Sequence, residues 1–371
     1  MSSTPSSAFA QGPACAPSTS PVEAYNEWDP LEEVIVGRVE GSTVPPYDVA
    51  LASCLPSQWR DFFRSNAGKP FPAERIAAAR AELEELVHIL EAEGVTVRRP
   101  DLIDFSRPYS TPHWTCQSGF YAAMPRDFLL VIGTELIESP MAWRSRYYEA
   151  SLYRSLCKEY FRGGAMWTAA PRPELRDELY DVDYVEPVDP KNMRYPITEF
   201  EPTFDAADFM RCGRDIFGQL SNVTNRFGIE WLQRHLGSTY RIHTVTFDDL
   251  HPLHIDGTFM PLAPGKVLAC PDRVSEVPPM FAKWDVLEAP RSTTPDSHPL
   301  YMTSKWVSMN TLMLDEQRVI VERQEEPLIR AMKEWGFQPI LCNFRNFNSF
   351  GGSFHCATAD VRRRGTLKSY F

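Results

Sequence analysis

The sequence predicts an α/β fold, a five-bladed α/β propeller of ββαβ units with pseudo-five-fold symmetry. Three observations carry that prediction. A strand–turn–strand–helix–strand order recurs along the chain. The units open on two strands, whereas a doubly wound sheet alternates single strands with helices. A unit of this size cannot bury both faces alone, so five around an axis would share one core, limit exposed edges and leave a central cavity.

In the first unit EEVIVGRV (32–39) reads as a strand, AERIAAARAELEELVHILEAE (73–93) as a helix and VTVRR (95–99) as a second strand. Ile76, Leu83, Leu86, Val87 and Leu90 recur at helical spacing, and Gly94 ends the helix. His88 is expected on that apolar face. PRDFLLVIGTELIESP (125–140) reads as two strands about a Gly-containing turn, followed by a helix near 146–161 and a strand near 165–170. FDAADFMRCGRDIFGQ (204–219) precedes a helix near 224–236 and the strand YRIHTVTF (240–247). HIDGTFMPLAPGKVLACP (254–271) precedes a short helix near 276–284 and DVLEAP (285–290). NTLMLDEQRVIVE (310–322) is a hairpin around Asp315-Glu316-Gln317, then a helix near 325–335 and QPILCNF (338–344). The Pro-rich, acidic stretch 171–196 reads as an insertion loop.

Composition narrows the function classes. The chain has 371 residues, 43% hydrophobic and 23% charged, enough for a large core. Its net charge of -11, with no long basic run, argues against nucleic acid and anionic membrane as partners. No apolar run is long enough to span a membrane. Eight scattered cysteines form no C-x-x-C pair, which argues against a structural zinc site or disulfide framework and for a reducing, cytoplasmic setting. Residues 1–21 carry no Lys or Arg, so they lack the marks of a secretory or mitochondrial leader and read as a disordered tail. Residues 22–371 then form a single domain.

Several polar residues are candidates for chemistry, each with a structural alternative. His254 and Asp256 form H-x-D, either a hydrogen-bonded pair or part of a metal or acid–base site. Asp205 and Asp208 lie in FDAAD; Asp208 reads as a helix cap, while Asp205 follows an apolar segment and suits a cavity. Asp127 stands just before an apolar strand, where turn residues are common. Cys356, in a strand-like segment, is a buried thiol or a nucleophile. On a strand its neighbour His355 would point the opposite way, which makes His254 the better base. Arg362, Arg363 and Arg364 suit a salt-bridged terminal segment, or an anion site. Gly351-Gly352 lets backbone approach closely.

Longer stretches resemble the L-arginine amidinotransferase family. They are YNEWDPLEEVIVGR (25–38), AMPRD (123–127), PMAWRSR (140–146), EFEPTFDAADF (199–209), GRDIF (213–217), GIEWLQRHL (228–236), HIDGTF (254–259), SKWVSMNTLMLDE (304–316) and GSFHCATADVRRRGTL (352–367). The similarity runs from about residue 22 to the end, and the family fold, of pentein type, is a five-fold pseudosymmetric α/β propeller. The resemblance implies Cys356 as nucleophile, His254 as general acid/base and Asp205 as the catalytic aspartate. It implies Asp127 and Asp256 as carboxylates that hold a guanidinium, Arg273 as the grip on the substrate α-carboxylate, and Thr303 and Ser304 as a polar pair beside it. L-Arginine is the implied donor and an amine the acceptor, with neither cofactor nor metal, and relatives are often homodimers.

That chemistry suits these residue types. A guanidinium is a delocalised, poor electrophile that carboxylates orient through paired hydrogen bonds. A cysteine can take up the amidino group, release ornithine and pass the group to an amine, in ping-pong fashion. The sequence departs from glycine-using relatives at DDLHPLHID (248–256), where His251 and Leu253 replace Asn and Met in the loop expected to shape the acceptor pocket. The tail motif and MPLAPGK (260–266) resemble enzymes of the cylindrospermopsin and saxitoxin pathways, whereas NSFGGSFHC (348–356) is closer to the glycine-using form. Two alternatives stand beside transfer: hydrolysis on the same fold, in the manner of an arginine deiminase, and binding of small cations without chemistry.

Overall fold

The computed structural model describes residues 20–371. The tail expected over 1–21 falls, up to residue 19, outside the described residues, as does Cys15. Among the described residues there are five three-stranded sheets, and in each a middle strand pairs antiparallel on one side and parallel on the other. Four follow the chain. Leu129–Ile132, Glu135–Glu138 and Met166–Ala169 form one. Phe209–Cys212, Asp215–Gln219 and Arg241–Val245 form the next. Phe259–Ala263, Lys266–Ala269 and Asp285–Glu288 follow, then Leu312–Met313, Arg318–Glu322 and Gln338–Cys342.

The remaining sheet corrects the linear reading. Leu31–Val36 has only one other strand of its own unit, the parallel Thr96–Arg98. Its antiparallel partner is Thr358–Arg363, from the far end of the chain. No local pattern reports a pairing across more than three hundred residues.

Hydrophobic order sets which strand is deep. The first strands LLVI, FMRC and FMPLA are buried at every position, whereas the third strands MWTA, RIHTV and DVLE have no buried residue. Three hairpins turn through glycines at the same place, Gly133, Gly213 and Gly265, with φ of 60°, 69° and 79°. That region is cheap for glycine and costly for side chains. Helices Ala73–Ala92, Ala150–Arg162, Arg226–Leu236 and Glu326–Glu334 cross between second and third strands. The helix expected near 276–284 is a single 3₁₀ turn, Pro279–Phe281. Pro278 and Pro279 remove two amide donors and disfavour helical backbone before them. His88 is exposed rather than core, one step round from the buried stripe of Leu83, Leu86, Val87 and Leu90. Residues 171–196 form the expected irregular insertion, with two short 3₁₀ turns. Among the described residues no helix is long and apolar enough to cross a membrane.

Glu27, early in the described chain, and Asp360, late in it, meet in a buried charge lattice. Asp360 accepts from Arg126 at 2.7 Å, Arg211 at 2.6 Å and Arg363 at 2.7 Å. Glu27 takes Arg211 in a paired contact, Nε at 2.7 Å and Nη2 at 2.6 Å. Burial opposes charge on both acids, but the arginines hold Asp360 and Glu27 well below the usual carboxylate range. The three terminal arginines therefore divide: Arg362 and Arg364 pair with Glu32 near the surface, while Arg363 is fully buried. Removing one partner from such a set leaves uncompensated buried charge. Asp360→Ala should therefore cost about 3–5 kcal/mol, read as a lower denaturant midpoint; an unchanged midpoint would show that the lattice contributes nothing.

Candidate active site

The candidate residues share one structural address. Short turns run into the first strand of each sheet, and the polar side chains sit in or beside those turns. Asp127 lies in the helical turn Pro125–Phe128. Asp205 caps the turn Ala206–Asp208, and His254 immediately precedes the turn Ile255–Gly257, which holds Asp256. Ser304 and Asn310 flank the turn Lys305–Met309. Cys356 lies in the turn before Thr358–Arg363, with Ala357 N donating to Ser353 O at 2.8 Å.

Cys356 is thus in a turn, not in the strand-like segment the sequence suggests. Strand alternation does not separate it from His355, and the two neighbours converge on one carboxylate. The Cys356 thiol donates to Asp256 Oδ2 at 3.3 Å, and His355 Nδ1 lies 2.8 Å from the same oxygen. His355 Nε2 lies 3.3 Å from Glu27, and Arg126 donates to the His355 carbonyl at 2.9 Å. The nucleophile turn is therefore tied to the charge lattice. Asn310, which sequence reasoning missed, braces it from the other side. Its Nδ2 donates to Cys356 Sγ at 3.3 Å, and its Oδ1 accepts from Cys356 N at 3.1 Å and Ser353 N at 3.2 Å. The available signal was positional: Asn310 stands just ahead of its unit's first strand, as Cys356 does.

His254 carries backbone strain, with φ at 58°, a region that non-glycine residues avoid at a cost of roughly 1–3 kcal/mol. Its Nε2 lies 3.0 Å from Asp205 Oδ2 and its Nδ1 lies 3.6 Å from Asp127 Oδ1. Trp143 Nε1 also donates to Asp205 Oδ2, at 3.0 Å. Polar side-chain atoms of Asp127, His254 and Cys356 all lie within 4.8 Å of one another. Asp127 Oδ1 and Asp205 Oδ1 are buried and accept no hydrogen bond. Buried acceptors without donors cost free energy, so these two oxygens suit a cationic ligand rich in N–H groups. Asp208 is not a helix cap. It is fully buried, accepts from Ser221 at 2.6 Å and Thr224 at 2.5 Å, and burial pushes its carboxyl up to about 7.

The electrostatics set the resting protons. Burial alone would lower the His254 pKa, but Asp127, then hydrogen bonds to Asp205 and Cys356, hold it well above the usual imidazole range. Burial first, then Asp256 and Asp127, push the Cys356 thiol up to about 12, against the pull of His254. The resting pair at neutral pH is an imidazolium and a thiol.

These groups open into a cavity of about 400 Å³, which also takes in His251, Leu253, Arg273, Thr303 and Ser304. Arg273 is held by Asp249 at 3.0 Å, the Gly257 carbonyl at 3.0 Å and Ser304 Oγ at 3.2 Å, so its charge faces the cavity from a fixed frame. Burial lowers the His251 pKa. An ion pair between Arg60 and Glu186 joins the region before the first long helix to the 171–196 insertion at the same cavity. Thus every residue singled out from sequence for donor or acceptor lines this cavity, except Asp127, which lines a smaller adjoining pocket that also reaches His254 and Cys356, and Asp205, which contacts His254.

Gly352 is part of the same fit. A Cβ there would lie 2.5 Å from Cys356 Cβ and 3.0 Å from Sγ. Gly352→Ala should therefore displace Cys356, reduce turnover at least tenfold and destabilise the fold by about 1–3 kcal/mol through overpacking; full activity in this variant would show that the approach is not needed.

A scan against protein-family models finds no match. Individual proteins match closely. The chain is 62% identical over 352 residues to an L-arginine:L-lysine amidinotransferase of Pseudomonas savastanoi pv. phaseolicola, covering 95% of this chain and 97% of that one. It is 50% identical over 375 residues to the mitochondrial glycine amidinotransferase of Danio rerio, covering 99% and 89%. Among solved structures it is similar to a saxitoxin-pathway amidinotransferase from Microseira wollei, with 55% identity, a TM-score of 0.88 and coverage of 95% and 100%. The inosamine-phosphate amidinotransferase of Streptomyces griseus gives 36% identity, a TM-score of 0.85 and coverage of 95% and 99%. A dimethylarginine dimethylaminohydrolase shares the fold alone, at 14% identity and a TM-score of 0.56 over 88% of this chain and 98% of that one. The close matches are amidino-group transferases and the hydrolases are remote, and a thiol, an imidazole and carboxylates with open oxygens meet here around His254. The chain belongs to the amidinotransferase family and transfers amidino groups.

Proposed function

We propose that this enzyme takes the amidino group from L-arginine onto Cys356 and passes it to the side-chain amine of an α-amino acid of lysine type. The observation that carries the reading is the open carboxylate oxygen of Asp127 beside the Cys356 thiol and the His254 imidazolium. Asp127 and Asp256 hold the guanidinium, and Arg273 with Thr303 and Ser304 holds the α-carboxylate at the far end of the cavity. The Cys356 sulfur attacks the guanidinium carbon and the bond to ornithine Nδ breaks. His254 protonates the departing nitrogen and takes up the thiol proton, so the net transfer is from sulfur to nitrogen. Asp205 keeps the imidazole oriented. Ornithine leaves as an amine, and the amidino group remains on sulfur as a cation. In the second half a neutral acceptor amine attacks that carbon, the carbon–sulfur bond breaks and the amine's proton returns to sulfur through His254.

The acceptor assignment rests on room and charge. A ping-pong acceptor enters the space ornithine has left, where Arg273 can grip a second α-carboxylate. A cavity of about 400 Å³ has room for a chain of lysine's length. The relative with 62% identity carries lysine in its name, against glycine in that with 50%. His251 and Leu253 line the acceptor end.

The same proposal takes the five sheets as blades of one propeller forming a single catalytic domain over residues 22–371. Turns before the first strands of all five sheets contribute to one site, as a ring about a centre requires. Seven buried free thiols among the described residues support a reducing, cytoplasmic setting. A homodimer follows from the family resemblance.

Incubation with L-arginine alone should load one amidino group on the peptide carrying Cys356, and Cys356→Ala should abolish this. Chased with an amine panel, the loaded enzyme should favour lysine over glycine. A preference for glycine would overturn the acceptor, and citrulline as sole product would overturn transfer. A second expectation concerns the thiol. Alkylation of Cys356 in the free enzyme should rise only at strongly alkaline pH, because its carboxylate field and burial keep the proton on sulfur. A non-reacting guanidinium ligand should cancel that field and move the alkylation profile to lower pH; an unmoved profile would remove this role for the substrate charge.

A further inference from the structure

The motif PMAWRSR (140–146) places two side chains against the aspartates of the site. Arg146 spans two acids. Its Nε donates to Glu149 Oε1 at 2.7 Å and its Nη2 to Glu149 Oε2 at 2.9 Å, while Nη1 donates to Asp127 Oδ2 at 2.7 Å. The same Nη1 lies 4.0 Å from Asp205 Oδ2, which Trp143 Nε1 also contacts. Arg146, Glu149 and Asp127 are each no more than 3% exposed, and Trp143 is buried. The guanidinium of Arg146 also lies 5.4 Å from the Tyr121 ring centroid, which adds a third restraint.

The pattern of used and unused oxygens is the informative part. Each aspartate is held by Oδ2 and accepts no hydrogen bond at Oδ1, the Oδ1 of Asp127 facing His254 Nδ1 at 3.6 Å. Rotation of a carboxylate about its last torsion is soft, so an anchor on one oxygen aims the other. Arg146 is itself unsuited to holding a guanidinium substrate, which would be repelled by it and would find its donors already committed. Its planar fork bridges Glu149 and Asp127 at once, a geometry an ammonium cannot reproduce. Its charge also offsets a buried group of three acids, Asp127, Asp205 and Glu149.

We propose that Arg146, braced by Glu149, and Trp143 are positioning residues: Arg146 aims Asp127 Oδ1 at the substrate guanidinium, and Trp143 holds Asp205 against His254. The proposal rests on the reading of Asp127 as the substrate's grip and of Asp205 as the partner of His254. It separates two kinetic effects. Loosening Asp127 weakens substrate binding, whereas loosening Asp205 leaves binding intact and slows proton transfer.

The test uses three variants of the full chain in single-turnover loading with arginine. Arg146→Lys keeps a buried cation but loses the fork, and Glu149→Gln keeps shape but loses the brace's charge. Both should raise the arginine concentration for half-maximal loading at least tenfold, since a misplacement of ~1 Å can cost ~100-fold. Trp143→Phe keeps a ring but loses the donor, and should slow loading about tenfold at unchanged half-saturation. Folded Arg146→Lys and Glu149→Gln enzymes with parental half-saturation would overturn the aiming role. If one of these two melts early, the other decides the aiming role; Trp143→Phe tests the second role by itself, where loss in the rate alone supports it and parental kinetics or a binding defect overturns it. A parent enzyme that never loads from arginine overturns the donor reading, and this proposal with it, whereas a loading parent with unaffected variants overturns the positioning alone.

Discussion

Asp360 is the point on which the architecture and the nucleophile both depend. It lies on the chain's last strand and gathers guanidinium groups from Arg126, Arg211 and Arg363. Arg211 belongs to another sheet and also takes Glu27, so one buried carboxylate ties the last strand and the segment around Glu27 to the middle of the sequence. Charges this deep persist only when paired and hydrogen-bonded throughout, because each would otherwise carry a desolvation penalty of several kcal/mol. Arg126 then donates to the His355 and Thr358 carbonyls, the two ends of the turn that presents Cys356. The strand that completes the first sheet is thus also the strand that aims the nucleophile.

The site obeys the same rule with the balance left open on one side. Its carboxylates outnumber the fixed cations close to them, and two of their oxygens lack donors. An enclosed acid group of this kind favours a cation, and a guanidinium brings both charge and N–H groups in a plane. The field that keeps sulfur protonated in the empty site is the field that a cationic substrate cancels. Strain at His254 fits the pattern, since an unfavourable φ persists only where surrounding contacts over-determine it. Here those contacts run from Asp205 and Asp127.

Around this chemistry the cavity is built from less regular parts. Arg273 is framed by Asp249, Gly257 and Ser304, while Arg60 and Glu186 meet from two segments outside the repeated units. The repeats therefore supply the reacting groups, and loops between them shape what may enter, as expected where a rigid scaffold carries variable connections.

The sequence by itself determined the recurring strand and helix order, the long helix ending at Gly94 and the glycine turn between the strands of 125–140, because all of these rest on local periodicity and backbone preference. The family motifs also marked Cys356, His254, Asp127, Asp205 and Asp256, which the fold brings together. Local patterns failed where the cause was distant or was backbone chemistry within the segment. Adjacent prolines reduced one helix to a 3₁₀ turn, and His88 fell outside its helix's buried stripe. Only the tertiary structure decided that Thr358–Arg363 pairs with Leu31–Val36, that His355 and Cys356 share one carboxylate, and that Asn310, Trp143 and Arg146 brace the site. The reason is physical. Periodicity reports which face of an element is apolar, whereas hydrogen bonds between turns far apart in sequence exist only after the core has set their distance.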